Sequence, residues 1–420
     1  MLDCAIASGR PVPEGRLISR LADDLADGRP AAFGPAPAIC RDLLELLAGV
    51  TDGRPGQGRD HPVAAVLALA AAAVVAGSRS FTAIAGWAAD VPADVMEDLY
   101  LRCGAVRPGA GPPSKATIWR VVTGADAAAL DAATGTWLME RVSAAGDLAS
   151  SGRGGGEAAL IPVRVDGKTV RGARNADGSQ VHLLAALAGV RGVVAAQTEV
   201  GAKTNEIPMI IPLLDGLSLD GAVVTADALH TQRATADYVH GRSADFALPV
   251  KDNQPGLFDA LDALPWHNVQ VTHASTDRGH GRITTRTIQV MDAPGDLPFP
   301  HVSQVYLIER HVTGLDGKPL SDVAALGVTS LTATRAGPET IAGLVRGQWA
   351  IESLHWLRDT LYREDNSTVR TRSGPRAMAT LRNLAVGALH QAGRPDTTEA
   401  TRWASRSMER PFFILGLTSF

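Results

Sequence analysis

Forty residues, 161-IPVRVDGKTVRGARNADGSQVHLLAALAGVRGVVAAQTEV-200, decide the architecture of this chain. Ile161, Val163 and Val165 alternate with their neighbours up to Asp166, a period of two that reads as a strand ending on an acid. VHLLAALA and GVVAAQTEV give two more strands, joined by a turn around Gly192. Downstream, NEIPMIIPLLDGL (205–217) reads as a helix interrupted by Pro212, and AVVTAD (222–227) as a buried strand ending on Asp227.

Three strands, a helix and a central strand carrying a second acid follow the order of the ribonuclease H fold. Working outward, residues 268–333 are strand-rich (VQVTHAST, ITTRTIQV, QVYLIERHV, AALGVTSLT) and form a β-rich insertion. Pro338 then opens a long helix, PETIAGLVRGQWAIESLHWLRDTL, as proline does at the first helical position. Further helices occupy 374–420. On the other side, residues 148–157 form a Gly/Ser-rich linker, and 41–150 read as a helical accessory domain with Ser80 or Thr82 and Ser114 as N-caps. Residues 1–40 have no placement. The expectation is a mixed α+β / α/β protein, helical first and ribonuclease H-like from 157 to 420.

At 420 residues with 45% apolar content, the chain is long enough for two or three folded domains and too apolar for a disordered one. Cys4, Cys40 and Cys103 are scattered, without zinc-site spacing, which points to a reduced, cytoplasmic setting. The apolar run PVAAVLALAAAAVVAG (62–77) is shorter than the roughly 20 residues of a bilayer span and reads as a buried helix, so no membrane association is expected. The net charge of −4 masks a basic tail: from Ile341 onward there are eleven arginines against seven acids.

Asp166, Asp227 and Glu352 carry the chemistry. Two strand-borne aspartates and a helix-borne glutamate suit hard divalent cations, which prefer carboxylate oxygens and leave room for phosphate. Each acid also has a plainer reading: Asp166-Gly167 as a surface turn, Asp227 as a helix cap, and Glu352 as an exposed edge residue. Trp349 and Trp356 flank Glu352 at helical spacing, with His355 on the same face. Lys168 follows Asp166, and Arg171 lies just beyond it. Lys203 with Asn205 and Lys251 with Asn253 occupy polar turns, while His230 follows Asp227. His280 and Arg282 form an open basic loop, and Arg370 and Arg372 belong to the basic tail. All are candidate phosphate contacts, which position DNA without reading its sequence. Lys115, Thr117 and Arg120 lie on a capped helix that reads either as a helix-turn-helix element or as an ordinary solvated face.

Taken together, GRDHPVAAVLALAAAAVVAG, PPSKATIWRVV, VDGKTVRGA, HLLAAL, KTNEIP, VVTADALHTQ, VKDNQPGL, GHGR, IESLHWLRDTLYREDNS and GPRAMATLRNLA resemble the ISAs-type insertion-sequence transposases, DDE enzymes that include the H-repeat-associated proteins. The resemblance runs from about Leu43 to the C-terminus. It implies a metal-binding triad of Asp166, Asp227 and Glu352, two Mg²⁺ ions replaceable by Mn²⁺, and cleavage and transfer of DNA strands. It further implies that element terminal repeats and target DNA are the partners, that the protein works as a homodimer or larger synaptic assembly, and that it is nucleoid-associated. Thr284 stands where the family commonly has an acid, and Glu352 runs directly into Ser353, yet the triad is intact. Two other readings are an inactive or domesticated DNA-binding relative and a ribonuclease H-like nuclease without strand transfer.

Overall fold

The computed structural model describes residues 40–54, 60–104, 111–149, 159–174, 178–201 and 204–417. Residues 1–39, nearly all of the linker and Lys203 lie outside the described residues. Helices come first: α1 (Leu43–Ala48), α2 (Val63–Val75), α3 (Phe81–Ala89), α4 (Ala93–Arg102), α5 (Lys115–Gly124) and α6 (Ala127–Ala144). Ser80 and Ser114 do cap α3 and α5, their hydroxyls accepting from the N–H groups of Ala83 and Thr117 at 3.2 Å. The stretch 80–101 forms two helices that divide before Pro92, whose ring and missing N–H stop the first and start the second. Every residue of α2 from Ala64 to Val75 is buried, as a helix that is apolar all round must be in water. Among the described residues no helix is long and apolar enough to cross a membrane.

The sheet has nine strands: β1 (Ile161–Arg174), β2 (Gln180–Ala188), β3 (Val193–Val200), β4 (Ala222–Thr225), β5 (Asp245–Val250), β6 (His273–Gly279), β7 (Arg282–Asp292), β8 (Gln304–Gly314) and β9 (Pro319–Thr329). Their spatial order is β3-β2-β1-β4-β5-β9-β8-β7-β6. β1, β4 and β5 are parallel, and the other neighbours are antiparallel. The strand-rich stretch is therefore an extension of the main sheet, joined where Ala247–Val250 of β5 pairs with Leu326–Thr329 of β9. Between the strands lie α7 (Ile210–Asp215), α8 (Arg233–Gly241) and α9 (Pro255–Asp262). Pro212 falls inside the first turn of α7 rather than interrupting it, because N–H groups there have no helical partner to lose.

The C-terminal part comprises α10 (Pro338–Gly347), α11 (Trp349–Thr360), α12 (Gly374–Gln391), α13 (Thr397–Ala404) and α14 (Glu409–Ile414). The single long helix expected from Pro338 is thus two helices meeting at Gln348. One face of the sheet packs Val163, Val165 and Val224 against Ile210, Leu214 and Val239. On the other face, Val223, Ala247 and Tyr306 cover Ile341 and Leu344 of α10. A third core joins α2, α5 and α6 to Ile351 and Leu354 of α11, to α12 and to Ala185 and Val193 of the sheet.

Candidate active site

The register of two parallel strands places the first two acids. Arg164 of β1 pairs with Thr225 of β4, so Asp166 and Asp227 each stand two residues further along, level with one another. Side chains alternate across a sheet. Val163, Val165, Val224 and Ala226 belong to the core on one face, so Asp166 and Asp227 are directed to the opposite face. Asp227 thus leaves the carboxyl end of β4, where open α/β sheets form ligand crevices, and Asp166 stands beside that end on the longer β1. That face is also where α10 and α11 pack. Glu352 lies in the first turn of α11 and feels the charge of Asp166 across the crevice.

Two local expectations change. β1 does not turn at Asp166-Gly167, because its pairing with β2 carries it on through Val170 to Arg174. Gly167 serves close approach instead: a Cβ there would stand 2.3 Å from Oε1 of Glu206. The two tryptophans do not sandwich Glu352 either. Trp349 is 56% exposed, while Trp356 packs against the helical core.

Electrostatics separate the acids from their surroundings. Burial raises the pKa of Asp227, and Glu206 and Asp166 add to it. Glu352 is exposed on α11, yet burial first and Asp166 second raise its pKa. Asp227 and Glu352 are destabilised as anions by lost water and by the charge of Asp166, a condition that a bound cation reverses. Asp166 Oδ2 meets His355 Nδ1 at 3.3 Å, and Asp227 Oδ1 accepts from the N–H of Leu229 at 3.0 Å, capping the short turn Ala228–His230. Among the described residues no three His, Cys, Asp or Glu side chains form a closed metal cage. The donor set, three hard carboxylates on one crevice, still matches a divalent cation.

Several predicted contacts prove to be supports. Lys168 is buried and ion-paired with Asp359 at 2.6 Å and Asp365 at 3.8 Å. His230 is 1% exposed, with Nε2 3.2 Å from Glu206 Oε2. His355 is buried, and burial lowers its pKa against the pull of Asp166. Asn253 donates to the carbonyl of Ala228 at 2.6 Å and Gln254 to that of Thr231 at 2.9 Å, so the 251–255 turn braces the Asp227 loop. Asn205 accepts from Ile207 N–H at 3.2 Å, closing its own turn. Lys115, Arg120, Arg171, Lys251, His280, Arg282, Arg370 and Arg372 are exposed, with His280 and Arg282 at the β6–β7 hairpin tip. Sequence reasoning missed Glu206, His182 and Gln348. Glu206 binds His182 Nε2 at 2.6 Å, although the KTNEIP motif had drawn notice only to its lysine and amide.

The family described as "Transposase DDE domain" matches residues 162–387, more than half of the chain and all three acids. A companion domain described as "DDE_Tnp_1-associated" matches 44–138. The chain belongs to the DDE transposase family, enzymes that cut and join DNA. Among its relatives, "Putative transposase YncI" of Escherichia coli O157:H7 is 26% identical, over 83% of this chain and 87% of that protein. "H repeat-associated putative transposase YhhI" of Escherichia coli K12 is 24% identical, over 54% and 63%. A solved piggyBac transposase synaptic complex with hairpin DNA aligns at TM-score 0.39 and 9% identity over 87% of this chain and 77% of that one, a likeness too loose to carry an argument.

Proposed function

We propose that this chain cleaves DNA strands at the ends of its insertion sequence and joins the freed 3′-hydroxyl to target DNA, using Asp166, Asp227 and Glu352 with two Mg²⁺ ions that Mn²⁺ can replace. The observation that carries the reading is the level placement of Asp166 and Asp227 on adjacent parallel strands, facing the helix that bears Glu352. The strand order β3-β2-β1-β4-β5 supports a ribonuclease H-like core, extended by β6–β9. Bound between these carboxylates, divalent cations would activate the attacking oxygen and stabilise the leaving one.

The protein's own groups do the rest. The half-buried crevice excludes water around the scissile phosphate and strengthens each charge–charge contact. His355 holds Asp166, and the 251–255 turn holds the loop of Asp227, so that both carboxylates are oriented before substrate arrives. Exposed Arg171, Lys251, Arg370 and Arg372 are assigned to the DNA backbone, and Lys115 and Arg120 to recognition of the element ends by residues 41–150. The synaptic assembly is a homodimer or larger.

Asp227→Ala tests the triad. It should abolish metal-dependent nicking of element-end DNA while end binding in a gel-shift assay stays near wild type, because the phosphate contacts lie elsewhere. Asp227→Asn should be nearly as inactive. Wild-type nicking by either variant would show that the chemistry is done elsewhere.

A further inference from the structure

The joint between α10 and α11 lies against the floor of the crevice. Ile161 N–H donates to the carbonyl of Gly221 at 3.0 Å, so the backbone groups of Ile161, and by alternation those of Val163 and Val165, face β4. β4 ends at Thr225. Beyond that point the two strands part, and the carbonyl of Val165 has no β4 partner in the ladder. Gln348 takes the place of the missing strand. Its Nε2 donates to the Val165 carbonyl at 2.8 Å, and its Oε1 accepts from the Thr225 hydroxyl at 2.6 Å.

Those two partners lie just before the aspartates: Val165 adjoins Asp166, and Thr225 is two residues before Asp227. Gln348 itself is the residue between the helices and lies one turn before Glu352. The two helices are anchored in different cores, α10 through Ile341 and Leu344 and α11 through Ile351, Leu354 and Leu357. Packing therefore fixes each helix separately, and the angle and depth of α11 over the strands are set at the joint. A planar amide there, bonded at both ends, has one geometry that satisfies both strands.

We propose that Gln348, acting with Thr225, is a positioning residue that fixes Glu352 relative to Asp166 and Asp227, spanning the point where β1 and β4 separate. This rests on the three-carboxylate assignment above. Gln348 touches neither substrate nor metal; it acts through the strands and helix that carry the acids. Supports of this kind typically change metal affinity or activity by about 10–100-fold when lost.

The test pairs Mn²⁺ binding, read from the electron paramagnetic resonance signal of the free ion, with nicking of element-end DNA. Gln348→Leu, which keeps the bulk and loses both bonds, should weaken Mn²⁺ binding and slow nicking by about 10-fold or more. Its circular dichroism and DNA binding should stay near wild type. Thr225→Val should move both readouts in the same direction. Thr225→Ser, which keeps the donor, should restore them, a rescue that loss of packing alone would not give. Glu352→Gln is run alongside. If it nicks and binds Mn²⁺ as wild type does, the carboxylate assignment fails and the tether with it. If Glu352→Gln is inactive while Gln348→Leu and Thr225→Val bind Mn²⁺ and nick as wild type, the tether alone is overturned. Should Gln348→Leu misfold, the Thr225→Val and Thr225→Ser pair decides.

Discussion

Glu206 shows how much a single side chain organises here. Its carboxylate accepts from His182 on β2 and His230 behind Asp227, and it lies against the bare backbone of Gly167, next to Asp166. Burial alone would raise its pKa, but hydrogen bonds from the two histidines and their charge outweigh that and hold it at about 2. None of this is legible in KTNEIP, where a glutamate among turn residues looks like any solvated acid. Asp166 and Asp227 drew notice because each ends an apolar run, and Glu352 because Trp349 and Trp356 flank it at helical spacing. Their supports were not legible, because hydrogen-bond partners about twenty residues away, or more, leave no local pattern. Gly167→Ala should destabilise the protein by about 1–3 kcal/mol, the usual cost of overpacking a filled site. Urea denaturation would measure it. In a Glu206→Ala background the same change should cost much less; an undiminished cost would show that the glycine serves something other than Glu206.

Elements followed the sequence wherever one face decides their pattern. The alternation in β1, the strands β2 to β4 and the N-terminal proline of α10 were read directly, whereas the break at Gln348 depends on two strands more than a hundred residues upstream. The same holds for the segment after α11. There Glu364, wholly buried, is ion-paired with Arg358 at 2.7 Å and Arg382 at 2.6 Å, locking this segment to α12. Burial pushes its pKa up, and the two guanidinium groups more than reverse that, bringing it to about 2 from an ordinary 4.5. A carboxyl depressed on folding contributes stability that is present above about pH 4.5 and is lost as pH falls towards 2. Glu364→Gln should therefore cost about 3–5 kcal/mol at neutral pH, since it strands two buried cations. The difference from wild type should shrink as unfolding is measured at progressively lower pH. A constant difference down to pH 3 would mean that shape, and not charge, is what Glu364 supplies.

At the scale of the molecule, the helical region and the sheet share a core and a buried polar cluster. Asp131 of α6 is ion-paired with Arg376 of α12 at 2.7 Å and accepts from Gln197 of β3 at 3.1 Å. Burial, resisted by Arg376, raises its pKa to about 6. This cluster ties α6 of the helical region to α12 and to β3 of the sheet. The chain as a whole is acidic, so attraction to DNA must come from grouped cations rather than from net charge. Arg370 and Arg372 are exposed on the segment leading into α12, close in sequence to Asp365, which pairs with Arg171 of β1 at 3.6 Å. That pairing brings the tail cations to the strand of Asp166. Each phosphate contact releases condensed counterions, so the logarithm of the binding constant falls against log salt with a slope of about −0.9 per contact. The Arg370→Glu, Arg372→Glu double variant should weaken end-DNA binding at every salt concentration and flatten this slope by about 2 if both residues touch phosphate. Nicking of the DNA that still binds should be nearly unchanged if these side chains hold the strand and take no part in the chemistry. A wild-type slope in the double variant would place the DNA path on another face.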